Sequence, residues 1–180
     1  MTNKYNLTLL ESRLLKQWTE KEFRDVLFDS NTMSCTKESS QLFDIIKFRK
    51  NLLFIIEDEK GRKFGGYVNA EITKAHEWID DENAFVFTLV NNDKIEPEMF
   101  PCKDSSHAFM ASERNTPNFL ILMGGHDDGR LTGDDITLRK SDDTVTSYCS
   151  QRCYKYTKSK DSLIDERDFK MKRLVVVQMM

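Results

Sequence analysis

Glycine and proline are scarce in this sequence, with 7 and 3 among 180 residues, which excludes collagen-like and linker-rich chains. No apolar run approaches the ~20 residues of a membrane span. The opening Met1 to Thr8 lacks the basic stretch and apolar core of a secretory signal, so the chain is expected in the cytoplasm or nucleus, without membrane insertion. Thr2 stands where myristoylation needs glycine, and the end carries no cysteine to prenylate. A dominant charge is also missing. The 27 Lys and Arg stand against 30 Asp and Glu, a net charge of -3, so no overall field draws the molecule to nucleic acid or an anionic surface. The 4 cysteines, Cys35, Cys102, Cys149 and Cys153, are expected to be reduced thiols in such a compartment.

What is present is material for a core. The chain is 39% hydrophobic and 32% charged, with 12 Phe, and no repeat or low-complexity tract divides it. It reads as a single domain over residues 1–180 with a helical lead-in over 1–20. Leu7, Leu10, Leu14, Leu15 and Trp18 recur with helical spacing and predict one apolar face of an amphipathic helix. Thr19 and Glu22 could open a second helix as a capping box, and Phe23 to Phe28 could equally be a strand. Leu42, Phe43, Ile45 and Ile46 predict a short helix. Leu52 to Ile56 is apolar throughout, as in a strand covered on both faces, and Asp58-Glu59-Lys60-Gly61 then turns the chain into Arg62 to Ile72. Ala84 to Val90, Phe119 to Met123 and Leu174 to Val177 have the same buried-strand character, with turn clusters at 80–83 and 91–93. The expected class is α+β, mainly β: a β-sandwich flanked by short helices.

Two glycine pairs punctuate these strands. Gly65-Gly66 lies inside a strand pattern, which predicts a bulge or a close approach. Gly124-Gly125 follows an apolar run and predicts a strand end; neither pair matches a phosphate-binding or dinucleotide loop. No cofactor is expected.

Read in order, Leu15 to Thr19, Val26 to Ser30, Phe64-Gly65-Gly66-Tyr67, Asn83 to Leu89, Gly124-Gly125-His126-Asp127 and Phe169 to Val176 resemble a TLDc domain over nearly the whole chain. The resemblance implies a two-sheet antiparallel sandwich with flanking helices and a role in resistance to oxidative stress. It also implies binding to the vacuolar proton-pumping ATPase, with its peripheral subunits as protein partners, and it brings no settled catalytic activity. Ser150 stands where many members carry a Glu after a Ser-Cys pair, and Ser34 alone matches a Gly-x-Ser step; both departures argue against a hydrolase. The turns with Gly65, Gly66, Gly124, Gly125, His126 and Asp127 are then candidate contact loops on a rigid scaffold.

Other chemistries fit less well. The acidic pairs Asp127-Asp128, Asp134-Asp135 and Asp142-Asp143 fail both registers of an EF-hand and read as solvated surface. Cys149 and Cys153 lack the common zinc spacing, which leaves a thiol-based peroxide scavenger as one alternative function. Ser105, Ser106 and His107 could supply parts of a Ser-His-Asp triad, yet no nucleophile elbow accompanies them, and the chain is not expected to be an enzyme. Arg152, Lys155 and Lys158, interleaved with Tyr154 and Tyr156, define the first alternative, ahead of the scavenger: a stress-responsive nucleic-acid-binding regulator that stacks bases and tracks phosphates.

Overall fold

A computed structural model describes residues 2–91, 94–116, 119–125, 134–143, 146–150, 154–156 and 163–180. Helix α1 (Leu9–Thr19) starts at a capping box: the Glu11 amide donates to Thr8 Oγ1 and the Thr8 amide to Glu11 Oε2, at 3.3 and 2.7 Å. It stops at Glu20, which is left-handed at φ 54°. Thr19 and Glu22 do not open a second helix. Phe23–Asp29 is strand β1, and Leu42–Ile46 is α2.

Among the described residues ten further strands follow: β2 (Leu52–Asp58), β3 (Lys63–Val68), β4 (Phe85–Asn91), β5 (Lys94–Pro101), β6 (Phe109–Ala111), β7 (Phe119–Met123), β8 (Ile136–Arg139), β9 (Ser147–Cys149), β10 (Asp168–Phe169) and β11 (Met171–Met179). They form two antiparallel sheets, of order β1-β11-β2-β3-β4-β5 and β10-β9-β8-β7-β6. The expected run from Arg62 to Ile72 is strand only as far as Val68.

The six-stranded sheet is apolar on both sides. Leu52, Phe54, Ile56, Phe64, Val86, Leu174 and Val176 face the five-stranded sheet and meet Phe109, Ile121, Met123, Ile136 and Leu138. Leu53, Ile55, Tyr67, Phe85, Phe87, Val175 and Val177 face the other way, under Leu7 and Leu15. This double cover explains why Leu52 to Ile56 shows no polar alternation. The apolar face expected of α1 is corrected in part: Leu9 and Leu10 are exposed, whereas Glu11, Ser12, Leu15 and Thr19 are buried. A charge below the helix turns it, because the Lys63 ammonium of β3 takes the Glu11 carboxylate as partner at 2.9 Å. Among the described residues, no helix is long and apolar enough to cross a membrane.

Candidate functional site

Gly65 and Gly66 sit in the middle of β3, where close approach applies; the register shift of β3 against β4 falls one step earlier, between Lys63 and Phe64, and β3 pairs with β2 without one. A Cβ on Gly65 would run into the carbonyl oxygen of Phe54, and one on Gly66 into the Met123 sulfur of the opposite sheet. Gly124 ends β7 with φ +69°, and a Cβ there would stand 2.7 Å from the Tyr154 ring and 2.8 Å from Asp135 Oδ2. Gly125 lies against the Trp78 ring. Their amides donate to the carbonyls of Ala108 and His107, at 3.1 and 2.9 Å, and the Gly124 carbonyl accepts from the Asp135 amide at 3.0 Å. His126 and Asp127 lie outside the described residues.

Asp134 and Asp135 overturn the reading of a solvated acidic surface. Both are buried. Asp135 Oδ2 accepts the Tyr154 amide at 2.9 Å, while the Tyr154 hydroxyl donates to the Ala108 carbonyl at 3.0 Å, so one carboxylate and one phenol fasten segment 154–156 to the glycine turn. Asp134 accepts from Thr137 Oγ1 at 3.2 Å, and burial pushes its carboxyl up to about 6. Of the basic patch, Lys155 is exposed next to buried Tyr154; Arg152 and Lys158 lie outside the described residues.

The other candidate chemistries meet geometry. Ser106 Oγ lies 2.8 Å from His107 Nδ1, and Asp104 Oδ2 lies 3.3 Å from that same nitrogen. A triad needs the hydroxyl and the orienting carboxylate on opposite ring nitrogens, so these three residues form a turn, in which Asp104 Oδ1 accepts the Ser106 hydroxyl at 2.6 Å. Cys149 is buried in β9, and desolvation, then the nearby Asp135 charge, push its thiol well above the ordinary value. Burial also pushes Cys35 up to about 12 and Cys102 up to about 11. Protonated thiols are poor nucleophiles toward peroxide. Cys153 lies outside the described residues, among which no three His, Cys, Asp or Glu side chains cluster as metal ligands.

A groove of about 360 Å³ opens between the β2–β3 turn, the β8–β9 connection and the start of β11, lined by Glu59, Arg139, Lys140, Ser147, Phe169, Lys170 and others. A second hollow of about 290 Å³ shares Glu59, Thr146, Phe169 and Lys170 with it. Its floor is an ion-pair network. Arg62, almost wholly buried, holds Asp58 at 2.6 Å and Asp165 at 2.7 Å, and Asp58 Oδ1 accepts the amides of Lys60 and Arg62. Arg139 reaches Asp143 at 3.3 Å, and its Nε is buried without a hydrogen-bond partner among the described residues. Lys140 donates to the carbonyl of Glu113 at 2.9 Å, and burial lowers its pKa. Ile136 and Arg139 are the two ends of β8, so this groove and the Gly124 turn occupy opposite ends of the five-stranded sheet. The groove offers charged side chains, the hydroxyls of Ser141, Thr146 and Ser147 and one exposed lysine on a rigid frame, an arrangement suited to recognition of a polar surface.

The family model of the TLDc domain matches residues 3–176. No curated protein matches the chain.

Proposed function

Because the chain belongs to the TLDc domain family, whose model spans nearly all of it, we propose that it is a non-enzymatic protein-interaction domain. It acts in resistance to oxidative stress and in regulation of the vacuolar proton-pumping ATPase, with peripheral subunits of that pump as partners. The family match carries this reading. The thiols of Cys35, Cys102 and Cys149, all pushed toward the protonated form, support a role in stress resistance through contacts rather than peroxide chemistry. The shared nitrogen of Ser106 and Asp104 on His107 supports a non-hydrolytic role. The groove beside Phe169 and Lys170 is the contact surface we favour, because it joins three loops on a rigid sandwich.

The test mixes the purified chain with the isolated peripheral sector of the vacuolar ATPase at physiological salt. It follows co-elution by size exclusion and ATP hydrolysis by the assembled pump. Co-elution weakened by Lys170→Glu, with a change in hydrolysis rate, is expected. An unchanged elution profile and rate would remove the pump from the proposal.

A further inference from the structure

Six described residues other than glycine have positive φ, and five have a local reason. Asn6, Asn51 and Asn115 belong to the type that tolerates this region best, His76 is enriched there, and Glu20 caps α1. Phe48, at φ 62°, is the sixth. It follows α2 in the turn Ile46-Lys47-Phe48-Arg49. Lys47 has φ -57° and ψ 136°, and the Arg49 amide donates to the Ile46 carbonyl at 3.1 Å. These are the marks of a type II turn, whose third position calls for glycine. A bulky aromatic there is strained.

The ring returns little packing in exchange, because Phe48 is 68% exposed. The turn is nonetheless firmly held. The Phe48 amide donates to Ile72 O at 2.7 Å, the Ile72 amide to Arg49 O at 2.9 Å, and Arg49 Nε to Ile45 O at 2.8 Å. Its neighbours are cations: Lys47, whose ammonium lies 5.1 Å from the Phe48 ring centroid, and the exposed Arg49 and Lys50. Neither Arg49 nor Lys50 has a carboxylate within 4.0 Å among the described residues. Of the nearby acids, Asp44 is taken by Arg114 at 3.2 Å, and Glu71 stands beside Ile72 on the facing segment, leaving an excess of positive charge at the tip.

We infer that the Lys47–Lys50 turn is a docking tip for an anionic membrane surface, with the Phe48 ring entering the headgroup boundary and Lys47, Arg49 and Lys50 meeting acidic lipid headgroups. A protruding aromatic ringed by cations fits a bilayer, which accepts a convex tip without a preformed pocket. A protein partner would need a cleft shaped to the ring. The net charge of -3 for the chain keeps such binding local to this tip and weak, so the tip serves as a secondary contact, a role that rests on the proposed partnership with a membrane-bound pump.

The test is cosedimentation of the full chain with vesicles of phosphatidylcholine containing about one-third phosphatidylserine, against phosphatidylcholine alone. Binding to the acidic vesicles only, lost as salt is raised, is expected. Lys50→Glu and Phe48→Gly should each weaken it by about tenfold. Phe48→Gly should also raise the melting temperature, because glycine relieves the strained turn. The inference is overturned by equal sedimentation with both vesicle types or with neither. It is also overturned if Phe48→Gly binds as the wild type does, or if it lowers the melting temperature and so assigns the ring to the fold. Binding to soluble polyglutamate without vesicle binding would assign the tip to an acidic protein instead.

Discussion

Lys63 reaches from β3 to both carboxylate oxygens of Glu11 on α1, at 2.9 and 3.2 Å, and both side chains are almost wholly buried. Removing one partner leaves a buried charge without its counter-ion. Lys63→Met should therefore cost about 3 kcal/mol in urea unfolding. The double variant with Glu11→Leu should recover most of that loss, apart from the capping bond that Glu11 makes to the Thr8 amide. An equal or larger loss in the double variant would show that the pair itself adds net stability.

The two glycines of β3 differ in what lies above them. Gly65 faces the backbone carbonyl of Phe54, which cannot move without breaking the β2–β3 ladder, whereas Gly66 faces the flexible thioether of Met123. Gly65→Ala should destabilise by about 3 kcal/mol or more and Gly66→Ala by about 1 kcal/mol. Thermal unfolding of both variants gives the comparison, and the reverse order would contradict the packing described above.

Two aspartates pull the acid limb of stability in opposite directions. The Arg173 guanidinium, 2.6 Å from Asp29, holds the Asp29 carboxyl below the usual range, so its contribution is present above the unfolded value near 3.8 and fades as pH falls through the lowered one. Asp134, pushed up to about 6 by burial, binds its proton more tightly when folded. Its ionisation therefore removes stability as pH rises from about 4 to 6. Asp134→Asn should stabilise the protein at neutral pH by about 2 kcal/mol and have little effect near pH 4. Asp29→Asn should destabilise at neutral pH and flatten the acid limb. Melting temperatures across this range decide both.

Thiol reactivity should follow burial. Cys35 and Cys149 are buried and Cys102 is half-buried with its Sγ 3.2 Å from the Asp104 carbonyl. Among these three, a thiol reagent at neutral pH should label Cys102 first and the other two at the rate of unfolding. Peroxide consumption by the chain should be unchanged in Cys149→Ser. A slower consumption would restore the scavenger function to consideration.

Much of the frame was legible because burial leaves a local trace. Leu52 to Ile56 and Phe119 to Met123 announce strands with both faces covered, Gly65-Gly66 announces a bulge or close approach, and Gly124-Gly125 announces a strand end. Strand β5 gave no such trace: exposed Lys94 and Glu96 and half-buried Pro97 and Glu98 lie on the sheet edge, a run that reads as loop and suits an edge that blocks further pairing. The burial of Glu11 on α1 depends on Lys63, and the burial of Asp135 on Tyr154, each a partner distant in sequence. The groove assembles Glu59, Arg139 and Lys170 from three separated segments, and no motif encodes that meeting. Phe48 was readable as a residue but not as a strained one, since its φ comes from the turn and the facing Ile72.

Strand β11 lies between β1 and β2, so residues 23–29 find their sheet partner among residues 171–179. During synthesis, β1 waits for most of the chain before its backbone groups are paired, and β2 keeps one edge open for as long. The six-stranded sheet thus closes as one late event. A pause in translation before residue 171 leaves two unpaired strand edges available to neighbouring nascent chains, and a chaperone that shields them through that interval would raise the yield of folded protein.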